Sequence, residues 1–347
     1  MTTNKIAITL VPSYSHSMPG HPESPDRFQH FDKLSQVPFS DVLEHFDALA
    51  APLSAVTAVH PPAYLDEIEQ ACIRGPGFVD YGDTYVTSGS FKAALEAVGG
   101  TLEVINAVIE GIARNGFAII RPPGHHASTT RAGGFCLFNN IAIAARYAQS
   151  LGLPRVMIVD FDVHHGNGTQ DIFENDPNVL YLSTHQSGIY PGTGRENEIG
   201  RDEGEGTVIN IPLPARAGDG AFSAISEQVI TPIAKRFSPD ILLISAGFDA
   251  HWNDPLASLQ LSTSGYSKIG QALVSLAESI CEGRIIFLLE GGYEPNDLSD
   301  NVIAIMYALA NETPPNDRLG PAPFPEANID NLLNNVLSIH AVDSKDS

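Results

Sequence analysis

Seven short runs of apolar, largely β-branched residues recur along the chain and constrain its fold more than any other feature. In order they are KIAITLV, GFAIIRPPG, RVMIVDFD, NVLYLST, GTVINIPL, DILLISAGFD and RIIFLLEGGY. Most are followed by a stretch with helical spacing, such as LFNNIAIAARYAQSLG or GAFSAISEQVITPIAKRF. Uniformly apolar strands that alternate with helices are typical of a parallel sheet covered on both faces. The pattern therefore predicts an α/β fold.

The pattern continues without a break from about residue 5 to about residue 310, which predicts one domain for the whole chain. The part after about residue 312 has a different composition, because NETPPNDRLGPAPFPEANID is rich in proline. This stretch predicts an extended segment that wraps the surface. NLLNNVLSIHAV then predicts a last short helix, and the final residues up to 347 predict a loose tail.

The composition excludes several classes of protein. Hydrophobic residues make up 43% of the 347 residues, enough for a large core. A net charge of −22 argues against unaided nucleic-acid binding and would attract a cationic substrate. The three cysteines lack the close spacing of a disulfide framework or a cysteine-rich zinc site. With no apolar run of about 18 residues and no signal peptide, we expect a cytoplasmic protein outside the membrane.

Polar side chains that are costly to bury follow four of the apolar runs, at the point where each strand ends. In sequence order they are His125, His126, Asp160, Asp162, His164, His165, Asp249 and Tyr293. In open α/β sheets, ligands bind at the carboxyl ends of the strands. The sequence therefore predicts a functional site at this edge of the sheet.

Asp162, His164 and Asp249 are candidates for a metal site. Alternate residues of a strand point to the same side, so Asp162 and His164 should face one way as the chain leaves the sheet. Three protein ligands with an open fourth position are typical of catalytic zinc, and imidazole with carboxylate suits this ion. An ordinary hydrogen-bonded Asp–His pair would explain the Asp-x-His pattern alone. The neighbouring motifs RPPGHHA and SAGFDA favour the metal.

The other polar residues have alternative interpretations too. His125 and His126 could belong to a structural turn, but beside a metal they would supply a general base and a general acid. Asp160 could then orient one of the two imidazoles. Tyr293 could be a core tyrosine, or its phenol could donate a hydrogen bond to a developing oxyanion, since the two preceding glycines let the chain approach the site.

Six motifs in one order resemble the histone deacetylase family: RPPGHHA, GGFCLFNN, VDFDVHHGNGT, YPGTG, SAGFDAHWNDPL and LEGGY. This family of zinc-dependent amidohydrolases includes class II-like bacterial deacetylase-like enzymes and acetylpolyamine amidohydrolases. HPESPDRF, VHPPAYLDEI and DTYVTSGSFKAALEAVGG extend the resemblance over about residues 10 to 310. It implies an arginase-like, three-layer α/β/α sandwich with a central eight-stranded parallel sheet. It also implies hydrolysis of acyl-lysine side chains or related small acyl-amides.

The resemblance implies a role for each residue at the sheet edge. Zinc would be bound by the three ligands named above, which also accept Fe²⁺. His126 would take a proton from the attacking water and return one to the leaving amine. His125 would be an electrostatic partner backed by Asp160, and Tyr293 would polarise the acyl carbonyl. The expected partners are an acyl-lysine protein or peptide, or an acylated polyamine or small amide, and a homo-oligomer is left open.

Further residues match family positions outside the catalytic centre. The resemblance implies a narrow substrate channel formed by Gly134, Phe135, Tyr190 and Leu256. It implies two sites for structural K⁺ or Na⁺, one at Asp160, Asp162, His164, Ser183 and Thr184 and a second at Phe173, Asp176 and Val179. Arg27 matches an arginine near an internal exit cavity.

Three positions depart from the common family pattern. Asn167 replaces the aspartate of the nuclear class, so His126 would lack a carboxylate partner and be a weaker base. This asparagine is usual in the class II-like and bacterial branch. Asn253 stands where glycine is common, which affects the local turn. Ser24 replaces a more common arginine on a loop near the channel rim.

Three alternative functions compete with this interpretation. An acetylpolyamine deacetylase fits the negative charge, but Leu256 lies where one polyamine-selective branch has glutamate, and the long loop of the bacterial polyamine enzymes is absent from the sequence. A binuclear ureohydrolase needs an aspartate where Gly166 stands, although His251 follows Asp249 by two residues. A non-catalytic binder of acylated ligands would lack a ligand, base or tyrosine, and all of these are present.

Overall fold

The computed structural model describes residues 4–80 and 82–342. Its centre is an eight-stranded sheet in which every strand pairing is parallel. Ten strands are numbered in chain order: β1 Ile6–Val11, β2 Leu43–His45, β3 Gly77–Phe78, β4 Tyr85–Val86, β5 Asn115–Ile120, β6 Val156–Asp160, β7 Val179–Gln186, β8 Val208–Leu213, β9 Ile241–Ala246 and β10 Ile285–Leu289. The order across the large sheet is β2-β1-β5-β10-β9-β6-β7-β8, and β3 and β4 form a separate antiparallel pair.

Helices connect the strands. They are α1 Leu53–Val56, α2 Pro62–Arg74, α3 Ser90–Ile109, α4 Asn140–Ser150, α5 Asn167–Phe173, α6 Asp219–Ile225, α7 Thr231–Phe237, α8 Thr263–Ile280, α9 Pro295–Leu309 and α10 Asp330–Ile339. Short 3₁₀ turns lie at Pro25–Phe28, Phe31–Gln36, Ser40–Val42 and Asp202–Gly204. Asn139 and Ser262 cap the beginnings of α4 and α8, because their side-chain oxygens accept hydrogen bonds from backbone N–H groups three residues later.

Both faces of the sheet are covered, which explains why its strands are apolar throughout. In β6, Met157 and Val159 belong to the hydrophobic core on one face. Val156 and Ile158 of the same strand belong to the core on the other face. Alternate side chains therefore enter different cores, as the two-residue period of a strand requires. The predicted α/β/α architecture with an eight-stranded parallel sheet is confirmed.

The predicted helix over 220–237 is interrupted by a π-helical turn at Ser226–Ile230. Pro232, in the first turn of α7, has no N–H to donate to the preceding turn. The wider turn carries the chain through this point, and the Thr231 hydroxyl donates to the Ser226 carbonyl at 2.8 Å.

The C-terminal part of the described chain contains one helix. The structure assigns no helix or strand to residues 312–329, and α10 follows with Leu333 and Val336 buried in the core. Glu326 accepts a hydrogen bond from the N–H of Gly220 at the beginning of α6. The predicted tail at 343–347 lies outside the described residues. Within the described ranges, no helix has the length and apolar character needed to cross a membrane.

Candidate active site and metal centre

The sheet order explains how residues far apart in the sequence meet at one place. Strands β5, β10, β9 and β6 are neighbours, so the segments that follow them leave the sheet side by side. A cavity of about 120 Å³ lies at this edge. Among the residues predicted from the sequence, its lining contains His125, His126, Gly134, Phe135, Asp162, His164, Tyr190, Leu256 and Tyr293. Asp83, Pro123 and Gly291 complete it.

Asp162, His164 and Asp249 come together as a potential metal site. One ligand atom from each lies within 4.8 Å of the others. His164 Nδ1 is 3.2 Å from Asp162 Oδ1 and 3.2 Å from Asp249 Oδ2. The Asp249 Oδ2 atom is buried and accepts no hydrogen bond. Two buried carboxylates and an imidazole with an unsatisfied oxygen fit a divalent cation of the zinc type, because a cation would offset the cost of burying the charges.

Backbone N–H groups donate hydrogen bonds to one oxygen of each of the two aspartates. The N–H of Gly291 donates to Asp162 Oδ2 at 2.8 Å, and the N–H of Val163 donates to Asp249 Oδ1 at 3.0 Å. A Cβ on Gly291 would lie 2.1 Å from Asp249 Oδ2 and 2.6 Å from Asp162 Oδ2. Glycine is therefore required at 291 for this close approach, which is the role expected for the glycines of LEGGY.

His125 is held by Asp160, the first aspartate of the DFD motif. Its Nδ1 lies 3.0 Å from Asp160 Oδ2, and the Tyr181 hydroxyl donates to the same oxygen at 3.0 Å. Burial disfavours the charged form of His125, but attraction to Asp160, Asp162 and Glu290 outweighs burial and raises its pKa to about 10. A cation bound by Asp162 would remove part of this attraction.

His126 has a different partner. Its Nδ1 lies 2.9 Å from the side-chain oxygen of Asn167, which can only accept a hydrogen bond. The proton therefore belongs on Nδ1, and Nε2 of the neutral ring is left as an acceptor. Burial and the neighbouring His125 and His164 hold the pKa of His126 well below its usual range. A neutral imidazole with a free nitrogen at the cavity is suited to accept a proton from water.

Tyr293 is fixed through its backbone and its ring. Its N–H donates to Asp254 Oδ2 at 2.7 Å. The Arg27 guanidinium lies 5.0 Å from the ring centroid, and the Phe135 ring packs edge-on at 5.9 Å. Burial raises the pKa of the phenol well above its usual value, so the hydroxyl stays protonated and can donate a hydrogen bond.

Two buried carboxylates near the site, those of Glu290 and Asp254, were not predicted from the sequence. Glu290 accepts hydrogen bonds from the N–H groups of Gly124 and His125, at 2.7 and 3.2 Å, and so fixes the beginning of the histidine pair. Burial raises its pKa to about 7. Asp254 accepts from the N–H groups of Tyr293 and Leu256, at 2.7 and 2.9 Å. The signal for both was an acidic residue inside a motif that otherwise ends an apolar strand.

Aromatic rings narrow the cavity. Tyr190 is 44% exposed, and its ring centroid lies 5.0 Å from that of His126. Gly134 packs directly on His126, because a Cβ there would lie 2.2 Å from Cδ2 of the imidazole. Leu256 also lines the cavity and is 38% exposed, and its position at the mouth stays a prediction.

The remaining predicted residues lie around the centre. Ser183 Oγ is 2.9 Å from His185 Nδ1, and the Thr184 hydroxyl donates to the Asp160 carbonyl at 3.4 Å. Asp176 is paired with Arg146 at 2.5 Å, and its N–H donates to the Phe173 carbonyl at 2.9 Å. The N–H of Val179 donates to the Asp176 carbonyl at 3.3 Å. The two monovalent-cation sites therefore stay predictions.

Arg27 is buried beside the catalytic loop. Its Nε donates to the Gly292 carbonyl at 2.7 Å, and its Nη2 donates to the Glu290 carbonyl at 2.5 Å. Glu23 is its ionic partner at 3.3 Å. The guanidinium thus contacts the backbone on both sides of Gly291, next to the Tyr293 ring.

Comparison with known proteins agrees with this geometry. A family model described as histone deacetylase domain matches residues 21–309. Histone deacetylase 14, chloroplastic, of Arabidopsis thaliana is 46% identical over 285 residues, which cover 79% of this chain and 67% of the relative. A probable deacetylase of Archaeoglobus fulgidus is 41% identical over 278 residues, which cover 79% of this chain and 77% of the relative.

A solved structure extends the similarity to the fold. The crystal structure of the HDA15 HD domain matches with a TM-score of 0.87 and 34% identity, covering 97% of this chain and 96% of the other. These two relatives come from a plant and an archaeon, so a bacterial-type affinity stays a prediction. The length of the family match and the identities show that the chain is a hydrolase acting on amide bonds and belongs to the histone deacetylase family.

Proposed function

We propose that the protein is a zinc-dependent amidohydrolase that removes acetyl or other acyl groups from acyl-lysine side chains or related small acyl-amides. The observation that carries this proposal is the Asp162–His164–Asp249 group, of which Asp162 and His164 line a narrow cavity together with His126 and Tyr293. We propose further that the whole chain acts as one catalytic domain.

The three ligands would hold zinc, or Fe²⁺ in its place. When bound there, the ion supplies a Lewis acid that polarises the acyl carbonyl and makes a water molecule more acidic. Asp162 and His164 offer their ligand atoms from the end of β6, and Asp249 offers its own after β9. One oxygen of each carboxylate accepts a backbone N–H, which fixes the direction of Asp162 and Asp249.

The surrounding residues would have separate roles, and only His126 would transfer a proton. His126 would accept a proton from the attacking water at Nε2 and return it to the amine as the amide C–N bond breaks. Tyr293 would donate a hydrogen bond from its phenol to the oxygen of the acyl carbonyl as negative charge develops there, and would keep its proton. His125, held by Asp160, would stabilise that charge through its own positive charge. No covalent intermediate with the protein is needed.

The channel residues would select the substrate. Gly134, Phe135 and Tyr190 would enclose an aliphatic stem of lysine length, with Leu256 at the mouth. Structural K⁺ or Na⁺ would bind at Asp160, Asp162, His164, Ser183 and Thr184, and a second such ion at Phe173, Asp176 and Val179. Arg27 would border an internal cavity through which the acid product leaves.

An acetylpolyamine is the second candidate substrate. Asp83 lines the catalytic cavity and would attract an ammonium group, in keeping with the net charge of −22. Leu256 at the mouth favours acyl-lysine, because it offers no charge for the distal amine of a polyamine.

A cytoplasmic location also stays a proposal, since the Arabidopsis relative is named chloroplastic.

Measuring kcat/KM on three classes of substrate would test the proposed function. The purified protein, with its metal content measured, is assayed on acetyl-lysine peptides, longer acyl-lysines and N-acetylated polyamines. We expect acyl-lysine to give the highest kcat/KM. Tyr293→Phe should lower kcat by about 10² to 10³, the loss typical of one oxyanion donor, without changing the fold. An absence of hydrolysis on all three classes, or full activity of the variant, would refute the proposal.

A further inference from the structure

The loop that carries Tyr190 is held in place at both ends. This segment, residues 187–194, is called the Tyr190 loop here. At its beginning, the N–H of Ser187 donates to the Leu213 carbonyl of β8 at 2.8 Å. Gly188, Gly192 and Gly194 have φ of +80°, +83° and +81°, a region that other residues avoid. Glycines do not restrain a backbone by themselves, so the loop depends on contacts to keep one conformation.

The other end of the Tyr190 loop lies on two buried imidazoles. Thr193 Oγ1 is 2.8 Å from His165 Nδ1, and His185 Nε2 donates to the Gly194 carbonyl at 2.8 Å. The N–H of Gly194 donates to Glu198 Oε2 at 3.1 Å. A Cβ on Gly194 would lie 2.5 Å from His185 Nε2 and 2.6 Å from His165 Cδ2. The backbone therefore packs directly against both rings.

Amide side chains behind His165 fix the direction of each hydrogen bond. Gln170 Nε2 donates to Glu198 Oε2 at 2.8 Å, so Gln170 Oε1 faces His165 Nε2 at 3.0 Å. Asn210 Nδ2 also donates to Gln170 Oε1, at 2.8 Å. Because an amide oxygen only accepts, His165 Nε2 carries a proton. Nδ1 of the neutral ring then accepts, and the Thr193 hydroxyl donates to it.

Tyr190 lies three residues before Thr193, so the same anchor governs its position. Its ring packs edge-on against His126 and His164, at centroid distances of 5.0 and 6.4 Å. Its hydroxyl would be 3.2 Å from a Cβ on Gly133, on the neighbouring GGFC loop. A small displacement of the Tyr190 loop therefore changes the width of the cavity above the ligand His164.

We propose that His165 and His185 are positioning residues that hold the Tyr190 ring at the wall of the substrate channel, acting through Thr193 and Gly194. This inference rests on the proposed function, because it assumes that an acylated stem passes Tyr190. It gives the second histidine of the VHHG motif a function of its own. One strand end then supplies a metal ligand, His164, and the anchor of the channel wall, His165.

Thr193→Val tests the anchor, because it removes the hydroxyl and keeps the β-branched shape on an exposed residue. Thr193→Ser keeps the hydroxyl and is the matched control. On an acetyl-lysine peptide, we expect Thr193→Val to raise KM about three- to tenfold, the effect of losing one hydrogen bond, with kcat changed less than about twofold. Thr193→Ser should behave like the wild type, and Thr193→Val should lower the Tm by no more than about 4 °C, the effect of one lost hydrogen bond on a chain of this size.

A double-mutant cycle shows whether the effect passes through Tyr190. In a Tyr190→Ala background, Thr193→Val should change KM by less than about twofold, because coupled residues are not additive. An unchanged KM in the single variant, a fall in kcat or Tm instead of a rise in KM, or the same rise in the Tyr190→Ala background would each overturn the inference. A wild-type protein without activity on the peptide would refute the proposed function, and this inference with it.

Discussion

Replacing Asn167 with aspartate would change the basicity of His126 in a direction that the geometry defines. The Asn167 oxygen lies 2.9 Å from His126 Nδ1, and aspartate would place a negative charge at the same distance. At an effective dielectric constant of about 20, two unit charges so close attract by about 6 kcal/mol, and burial of the new carboxylate offsets much of this. A net rise of about 1 to 3 units in the pKa of His126 is expected.

The sign of the effect on activity follows from the role of His126 as a base. The ring must be neutral to accept a proton, so activity is lost as the pH falls through its pKa. Burial and the neighbouring histidines hold that pKa well below its usual range in the wild type. In Asn167→Asp, the acidic limb of the kcat/KM profile should move to higher pH by about 1 to 3 units.

The assay is kcat/KM of an acetyl-lysine peptide from about pH 4 to 9, so that it includes pH values below the usual pKa range of histidine. Asn167→Ala is the matched control, because it removes the hydrogen bond without adding charge and should leave the acidic limb at or below its wild-type position. Superimposable profiles for Asn167→Asp and the wild type would refute the pairing of His126 with Asn167 as the control of its basicity.

Three other substitutions test separate parts of the structure. Gly291→Ala should weaken zinc binding at least about tenfold, because its Cβ would lie 2.1 Å from Asp249 Oδ2. Gly77→Ala is the control, since a Cβ there meets open space, and equal zinc affinities of the two variants would contradict this geometry. Asp160→Asn should lower kcat by about 10- to 100-fold while the metal content stays the same. An unchanged kcat would contradict the role of Asp160 in holding His125. Leu243→Ala, buried in β9, should lower the free energy of unfolding by about 2 to 5 kcal/mol in a denaturant titration, and a change below about 1 kcal/mol would contradict tight packing there.

The parts of the fold that were predictable depend on local patterns. Strand β6 was recognisable because Val156, Met157, Ile158 and Val159 face two cores and are all apolar. Strand β2 was missed because Leu43–His45 is only three residues long and lies at the edge of the sheet, where it needs no continuous apolar run. The π-helical turn before Pro232 was missed because helical spacing continues through it.

In the candidate site, too, the residues that follow a local sequence pattern were predictable, and those that depend on distant contacts were not. Asp162, His164 and Tyr293 follow directly on buried strands, so their spacing alone predicts that they lie at one edge of the sheet. Asp254 was missed because its importance lies in accepting the N–H of Tyr293, a contact between residues 39 positions apart. The link from His165 to the Tyr190 loop was also missed, because it depends on Thr193, 28 positions away. Such contacts arise from the tertiary fold and leave no periodic signal.

Titration of the metal-free protein with zinc would establish whether one metal ion held by Asp162, His164 and Asp249 supports amide hydrolysis. Activity on an acetyl-lysine peptide is measured as zinc is added to protein stripped by a chelator. We expect activity to be absent at first, to rise linearly and to reach its plateau at about one equivalent of zinc per chain, with Asp249→Asn remaining inactive. Full activity of the stripped protein, or a plateau only at about two equivalents, would contradict the single-metal site.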